Sequence, residues 1–182
     1  HGANHPRSAE FVEHGTPFLM ASDLHDGKVQ WNSASRLGPE TISRLKVGFA
    51  SRGDVFFTHK ASIGKTAIAD RDCILSPQVT YYRCNPAFIE PRWLRAFLGS
   101  QLFLLQLSDI QSQTTRDFVS IGKQYQQFIL LPPLSEQHRI AEELDSLQAQ
   151  VESLKRVQAE TAAKLDALLP AILDRAFKGE LV

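Results

Sequence analysis

Leu131-Pro132-Pro133-Leu134-Ser135-Glu136-Gln137-His138-Arg139-Ile140 opens the longest periodic stretch of the chain. The two prolines disfavour helix up to that point, and Ser135 can accept a hydrogen bond from the orphan N–H groups of a first helical turn. The pattern predicts a helix starting near Glu136. From there Ile140, Leu144, Leu147, Val151 and Leu154 fall on one stripe at heptad spacing, and Leu165, Leu168 and Ile172 resume it. Between the two runs Gln158 and Thr161 occupy the seam, where polar residues cost stability and fix register or oligomer state. That interruption points to a specified partner. The stripe would be about 48 Å long at ~1.5 Å per residue, whereas a domain built from the other residues would be about 30 Å across. Part of this helix must therefore bury against something besides its own domain. The competing reading is one amphipathic helix lying on that domain. Near the end, Pro170 is expected to kink the rod or remove a hydrogen bond from it.

The remaining composition is that of an ordinary globular chain of one or two domains: 182 residues, 43% hydrophobic and 22% charged. No run approaches the roughly 20 apolar residues of a membrane-spanning helix, and the opening His1-Gly2-Ala3-Asn4-His5 has no signal-peptide core, so the expected compartment is the cytoplasm. Cys73 and Cys84 form no Cys-x-x-Cys, and both are expected to be plain buried thiols. The zero net charge hides an asymmetry. Residues 1–134 carry 14 Lys and Arg against 11 Asp and Glu, whereas residues 135–182 carry 6 against 9. The first part is the better match for a polyanion and the helix for a protein.

Upstream of the prolines, short segments rich in β-branched and aromatic residues alternate with turn signals such as Asp26-Gly27 and Arg52-Gly53-Asp54. Residues 16–24, 53–58, 66–69 and 79–84 read as strands of a curled sheet. Pro91 in a first turn, Trp93, Leu94, Phe97 and Leu98 at helical spacing, and Gly99 at the end predict a short helix, one of one or two packed on the sheet. A last strand is expected over residues 127–131. The fold class is α+β: a mostly β domain with short helices over residues 1–134, then a long C-terminal coiled-coil helix over residues 135–182.

Two catalytic patterns are almost present. Ser62-Ile63-Gly64-Lys65-Thr66 looks like the end of a phosphate-binding loop, but His59 stands where the first glycine is required, so the backbone could not wrap a phosphate chain. Asn85-Pro86-Ala87-Phe88 resembles the Asn-Pro-Pro-Tyr/Phe motif with which adenine-N6 methyltransferases hold the target amine. Its third residue is Ala and no Gly-x-Gly cofactor loop occurs, so a turn after a strand is the better reading. The six histidines are scattered, with His1, His5 and His14 in a polar leader expected to be flexible. None has the spacing of a metal ligand or catalytic base, and no serine sits in a Gly-x-Ser-x-Gly elbow.

Two polar, basic loops remain. The first covers residues 59–66, where small residues let the backbone approach a ligand and two lysines supply charge. The second covers residues 113–124. Hydroxyls, amides, Lys and Arg bond phosphates, and Arg or Gln can read base edges bidentately. Lys60, Ser62, Lys65, Thr115, Arg116, Lys123 and Gln124 are the candidate DNA contacts. Solvated turns are the plain alternative.

Taken in order, these pieces resemble the specificity subunit of type I restriction-modification systems. The resemblance is carried by residues 16–29, residues 53–68, Thr114-Thr115-Arg116-Asp117-Phe118-Val119-Ser120, residues 131–140, and the closing Ala176-Phe177-Lys178-Gly179-Glu180-Leu181. It implies a target-recognition domain joined to a spacer helix, two such units related by a pseudo-two-fold, and helices packed antiparallel. Each domain would read one half of a bipartite site in double-stranded DNA. The subunit itself would be non-catalytic and hold no cofactor or metal. S-adenosylmethionine, Mg and ATP would belong to the methyltransferase (modification) and restriction subunits that are its partners.

A complete specificity subunit has two recognition domains and two spacer helices, and this sequence holds one of each. It is therefore expected to be either a half-subunit that homodimerises or a piece of a longer chain. The family's opening segment ahead of the first variable region is also lacking, which favours a truncated chain. In a two-fold assembly, about 48 Å of helix matches roughly 14 base pairs at ~3.4 Å each and holds the readers about one helical turn apart. Two rival readings are the recognition region of a single-chain restriction enzyme and methyltransferase, and a coiled-coil interaction module with no DNA role.

Overall fold

The computed structural model describes residues 6–111 and 118–179. The fold is α+β, with a mostly β first part and a long C-terminal helix. In chain order it has β1 (Phe11–Leu19), β2 (Leu24–His25), β3 (Lys28–Val29), β4 (Ser35–Leu37), α1 (Pro39–Arg44), β5 (Phe49–Ala50), β6 (Val55–Thr58), β7 (Thr66–Ile68), β8 (Cys73–Leu75) and β9 (Val79–Tyr82), then α2 (Pro91–Leu98), α3 (Gln101–Gln111), α4 (Ile121–Gln124) and α5 (Leu134–Phe177). Two compact units result, one running to Ala141 and one from Glu142.

The first unit is layered. A four-stranded mixed sheet, β4-β1-β8-β5, has β1 and β8 parallel; a three-stranded antiparallel sheet, β7-β6-β9, packs on it. Alternation along the strands sorts the core. Leu19, Ala50, Cys73 and Leu75 from the first sheet meet Phe56, Ala67 and Val79 from the second. Phe18, Leu37 and Ile74 point the other way and gather Ile42 of α1. On the far face of the second sheet Val55 and Phe57 pack against Trp93, Leu94 and Leu98 of α2, Phe103 and Leu107 of α3, and Ala141 of α5. Phe56 and Phe57 are both fully buried on opposite faces of one strand, each contributing about 1.5–3 kcal/mol relative to exposure. Strand β6 is thus the centre of the unit.

Helix α2 begins at Pro91 and stops before Gly99, as its sequence predicts. Residues 127–131, expected as a strand, form none. The backbone of Phe128 is paired instead by the side-chain amide of Gln106 on α3, which accepts from Phe128 N–H at 3.0 Å and donates to Phe128 C=O at 3.1 Å. One amide thus stands where a neighbouring strand would. His14, expected in a flexible leader, lies within β1, in the bulge between the pairings of Phe11 and Thr16 with Leu37 of β4. Residues 21–23, read as part of the first strand, are a 3-10 turn held by the Asp23 carboxylate on Met20 N–H at 2.8 Å. Asn85 makes a turn after β9, its side-chain oxygen accepting from Ala87 N–H at 3.1 Å. Cys73 is buried and its thiol is pushed up to about 12, mainly by burial; Cys84 is only partly buried, and its thiol is pushed up to about 11. Both stay protonated at neutral pH.

Helix α5 starts two residues before the expected Glu136, because the Pro133 carbonyl already accepts from the N–H groups of Glu136 and Gln137 at 2.9 and 3.0 Å. Its first two turns belong to the first unit. Gln137 is fully buried, and Ile140 packs against the same cluster as Ala141, so Ile140 serves the domain core and not an outer seam. From Glu142 the helix forms the second unit and continues through Pro170 without ending. Leu144, Leu147, Val151, Leu154, Leu165, Leu168 and Ile172 are exposed at 38 to 63%, so the described residues of this unit form no core of their own. Thr161 donates its hydroxyl back to the Val157 carbonyl at 2.8 Å. Among the described residues no helix is long and apolar enough to cross a membrane, and no cluster of His, Cys, Asp and Glu could hold a metal ion.

Candidate nucleic-acid interface

The first candidate loop connects β6 to β7 and is organised by Thr58. Its hydroxyl donates to the Ser62 carbonyl and accepts from Lys65 N–H at 2.9 Å, while its carbonyl accepts from Gly64 N–H at 3.0 Å. Two residues take left-handed backbone, Ala61 at φ +68° and Gly64 at φ +94°. Gly64 supplies a φ that residues with a Cβ rarely adopt, and an added Cβ would meet the movable Cδ2 of Leu104 on α3 at 2.8 Å. Lys60 and Ser62 are exposed at the tip. Lys65 is half-buried, with Nζ 3.3 Å from the Ala21 carbonyl.

The second candidate loop meets the first. Lys60 and Phe118 form an antiparallel bridge, and Val119 N–H donates to the His59 carbonyl at 2.9 Å. The His59 ring closes the junction: it is buried, Nδ1 lies 3.0 Å from the Val119 carbonyl, and Phe118 packs on it with ring centroids 5.6 Å apart. A carbonyl only accepts, so Nδ1 carries the proton. Two loops some 60 residues apart in sequence are thereby fixed edge to edge. Ser120 then caps α4, its hydroxyl oxygen accepting from Lys123 N–H at 3.3 Å.

Gln124, expected to contact DNA, is buried instead. Its carbonyl oxygen accepts from the Tyr82 hydroxyl at 2.9 Å, and its NH2 donates to Val119 C=O at 3.3 Å and Thr80 Oγ1 at 3.4 Å. The Tyr82 phenol, pushed up to about 12 mainly by burial and then by Tyr125, remains a donor throughout the neutral range. The amide is committed to holding α4 on β9, which leaves Lys123 beside it, half-exposed, as the outward group of that turn. Thr115 and Arg116 lie outside the described residues. Lys60, Ser62, Lys65 and Lys123 therefore come from two loops that the structure joins, and Gln124 supports them from behind. His59 was missed in the sequence because a histidine with no ligand-like spacing reads as inert. Its signal was a position directly after a strand whose four residues are all buried.

Burial holds the His59 imidazole below the usual histidine range, Lys60 adds to the effect, and the Val119 carbonyl opposes it. The unfolded chain thus binds its proton at a higher pH than the folded one. His59 contributes stability that is complete above about pH 6.5 and is lost as pH falls through the lowered folded value. Unfolding free energy measured from pH 8 to pH 5 should fall more steeply for the native chain than for His59→Gln, by at most about 1.4 kcal/mol per pH unit. Parallel curves would show that the ring does not titrate with folding.

Residues 3–161 match the family model of the type I restriction modification DNA specificity domain. The chain belongs to this family. Among curated relatives, it is 24% identical over 172 residues to the Type I restriction enzyme EcoBI specificity subunit of Escherichia coli, with 93% of this chain and 36% of that one covered. It is 26% identical over 163 residues to the MjaVIII specificity subunit of Methanocaldococcus jannaschii, covering 86% and 38%. Among solved structures, a chain from a study of complex assembly and conformational transition of the type I R-M system superposes with a TM-score of 0.74 at 32% identity, covering 97% of this chain and 42% of that one. The HsdS subunit from Thermoanaerobacter tengcongensis gives 0.63 at 31% identity, covering 97% and 41%. The chain thus spans about two fifths of the length of the specificity subunits it matches.

Proposed function

We propose that this chain is a DNA-recognition half of a type I specificity subunit, reading one half of a bipartite site in double-stranded DNA. It is non-catalytic, and it directs adenine methylation and restriction performed by partner subunits, which hold the S-adenosylmethionine, Mg and ATP. The observation that carries this reading is the junction of the two basic loops at His59 and Val119, on a chain whose family is defined by DNA specificity. Small, polar and cationic groups from two sequence-distant segments fixed at one junction suit base and phosphate contacts better than solvated turns do. The second half-site is read by another recognition domain, supplied by a copy of this chain or by the rest of a longer one. The exposed stripe of α5 packs against that second spacer helix.

Mapping methylated adenines in cells that carry this chain with a type I methyltransferase partner tests the assignment. A bipartite motif is expected, palindromic if two identical halves act together, and the absence of any motif dependent on the chain would remove it. Within the second loop, Arg116→Ala is expected to cost about 1–3 kcal/mol on the mapped site and much less on random duplex. Equal losses on both would make Arg116 a phosphate contact.

A further inference from the structure

The junction of the two loops carries an exposed ring that phosphate contacts and hydrogen bonds do not use. Phe118 stands opposite Lys60 in the antiparallel bridge, and its neighbour Val119 is fully buried, so alternation along this short extended run turns Phe118 outward. It is 41% exposed. Single exposed apolar side chains are ordinary on a protein surface, and the exposure alone decides nothing. What sets Phe118 apart is that its ring is exposed and held at the same time. One side rests on the His59 ring, with centroids 5.6 Å apart and planes 49° to each other. The His59 ring is itself buried and anchored through Nδ1 on the Val119 carbonyl at 3.0 Å. Val119 N–H donates to the His59 carbonyl at 2.9 Å, which fixes the backbone beside the ring. A phenyl group placed in this way loses little conformational freedom on binding.

The chemistry of the ring limits what it can meet on a duplex. It neither donates nor accepts a conventional hydrogen bond, so it gains little from phosphates or from the polar edges of the bases. A wedge between two base pairs needs a ring with both faces free, and one side of Phe118 is taken by His59. The apolar group that B-DNA displays in a groove is the C5 methyl of thymine, in the major groove. Lys60, opposite Phe118, and Ser62, two residues further on, are exposed and suit the phosphates and polar base atoms around such a methyl.

We infer that Phe118, backed by His59, is a base-reading residue that packs on the C5 methyl of a thymine in the recognised half-site. The inference rests on the proposed DNA reading and deepens it, because it assigns one base type to one side chain at the loop junction.

The test replaces each thymine of the mapped half-site in turn by deoxyuridine, which removes the C5 methyl and keeps the hydrogen-bonding edge unchanged. Binding of the whole chain with its methyltransferase partner is followed by fluorescence anisotropy at fixed salt, for the native chain and for Phe118→Ala. One substitution should weaken the native complex about fourfold, the worth of one buried methyl group. Phe118→Ala should weaken the unmodified site by at least that factor, bind a random duplex as the native chain does, and show no further loss with deoxyuridine at the same position. Phe118→Gln, with the same expectation, is the second variant if Phe118→Ala does not fold. Native binding indifferent to every deoxyuridine substitution would overturn the inference while leaving the DNA reading intact, and that measurement needs no variant. A methyl effect that persists in full in a folded Phe118 variant, or an equal loss on the random duplex, would overturn it as well. A native complex that binds the mapped site no better than the random duplex would overturn both.

Discussion

Gln137→Ala is expected to lower the unfolding free energy by about 3–5 kcal/mol, because it strips partners from three backbone groups at once. The Gln137 side chain is fully buried. Its carbonyl oxygen accepts from Glu90 N–H at 2.9 Å, and its NH2 donates to Phe88 C=O at 2.9 Å and to Pro132 C=O at 2.8 Å. Each orphaned group costs about 1–3 kcal/mol, and partial access of water to the vacated space brings the total towards the lower end. No substitute reproduces this pattern. Leu fills the volume and bonds nothing, and Glu keeps the acceptor but confronts two carbonyls with a carboxylate. The fall in Tm should be about 6–20 °C for a chain of this size. Thermal unfolding of Gln137→Ala and Gln137→Leu checks this, and a drop under about 2 °C in both would show that the three contacts carry little net energy.

Gln137 also shows where the sequence was legible and where it was not. The run from Pro132 to Ile140 was readable as a helix start because prolines and a heptad stripe are local signals. Nothing local announces that its glutamine clamps the turn after Phe88, some 50 residues earlier. Strand β6 was legible because Val-Phe-Phe-Thr has strong β character and is buried on both faces. Strands β4, β5 and β8 were not, because two or three residues become a strand only when a distant neighbour pairs with them, as Ala50 does with Cys73. The misread strand over residues 127–131 follows the same logic in reverse: its apolar pattern is genuine, but its backbone bonds go to one amide on α3. At the candidate interface composition picked out both loops. Their junction through His59 and Val119 depends on chain segments about 60 residues apart, beyond the reach of any periodicity.

Leu147→Asp combined with Leu154→Asp should convert a self-associating chain into a monomer without changing the stability of the first unit. Both leucines lie in the second unit, exposed at 50 and 59%, on a stripe that buries against no described residue of that unit. In a two-fold pairing the double substitution places four carboxylates in the seam. At about 2 kcal/mol each the loss is about 8 kcal/mol, or nearly six orders of magnitude in Kd, which takes a nanomolar dimer to a Kd of about half a millimolar and leaves it monomeric at tens of micromolar. The direct cost to helix α5 is much smaller, about 0.7 kcal/mol per Asp at most from propensity. The variant should therefore keep its helical signal where the first unit anchors it, and its Tm should follow that unit rather than the assembly. Sedimentation velocity is the deciding measurement. A dimeric native chain and a monomeric double variant are expected; a native chain that is already monomeric at tens of micromolar would assign the stripe to the second spacer helix of a longer chain, and a variant that stays dimeric would move self-association to another surface.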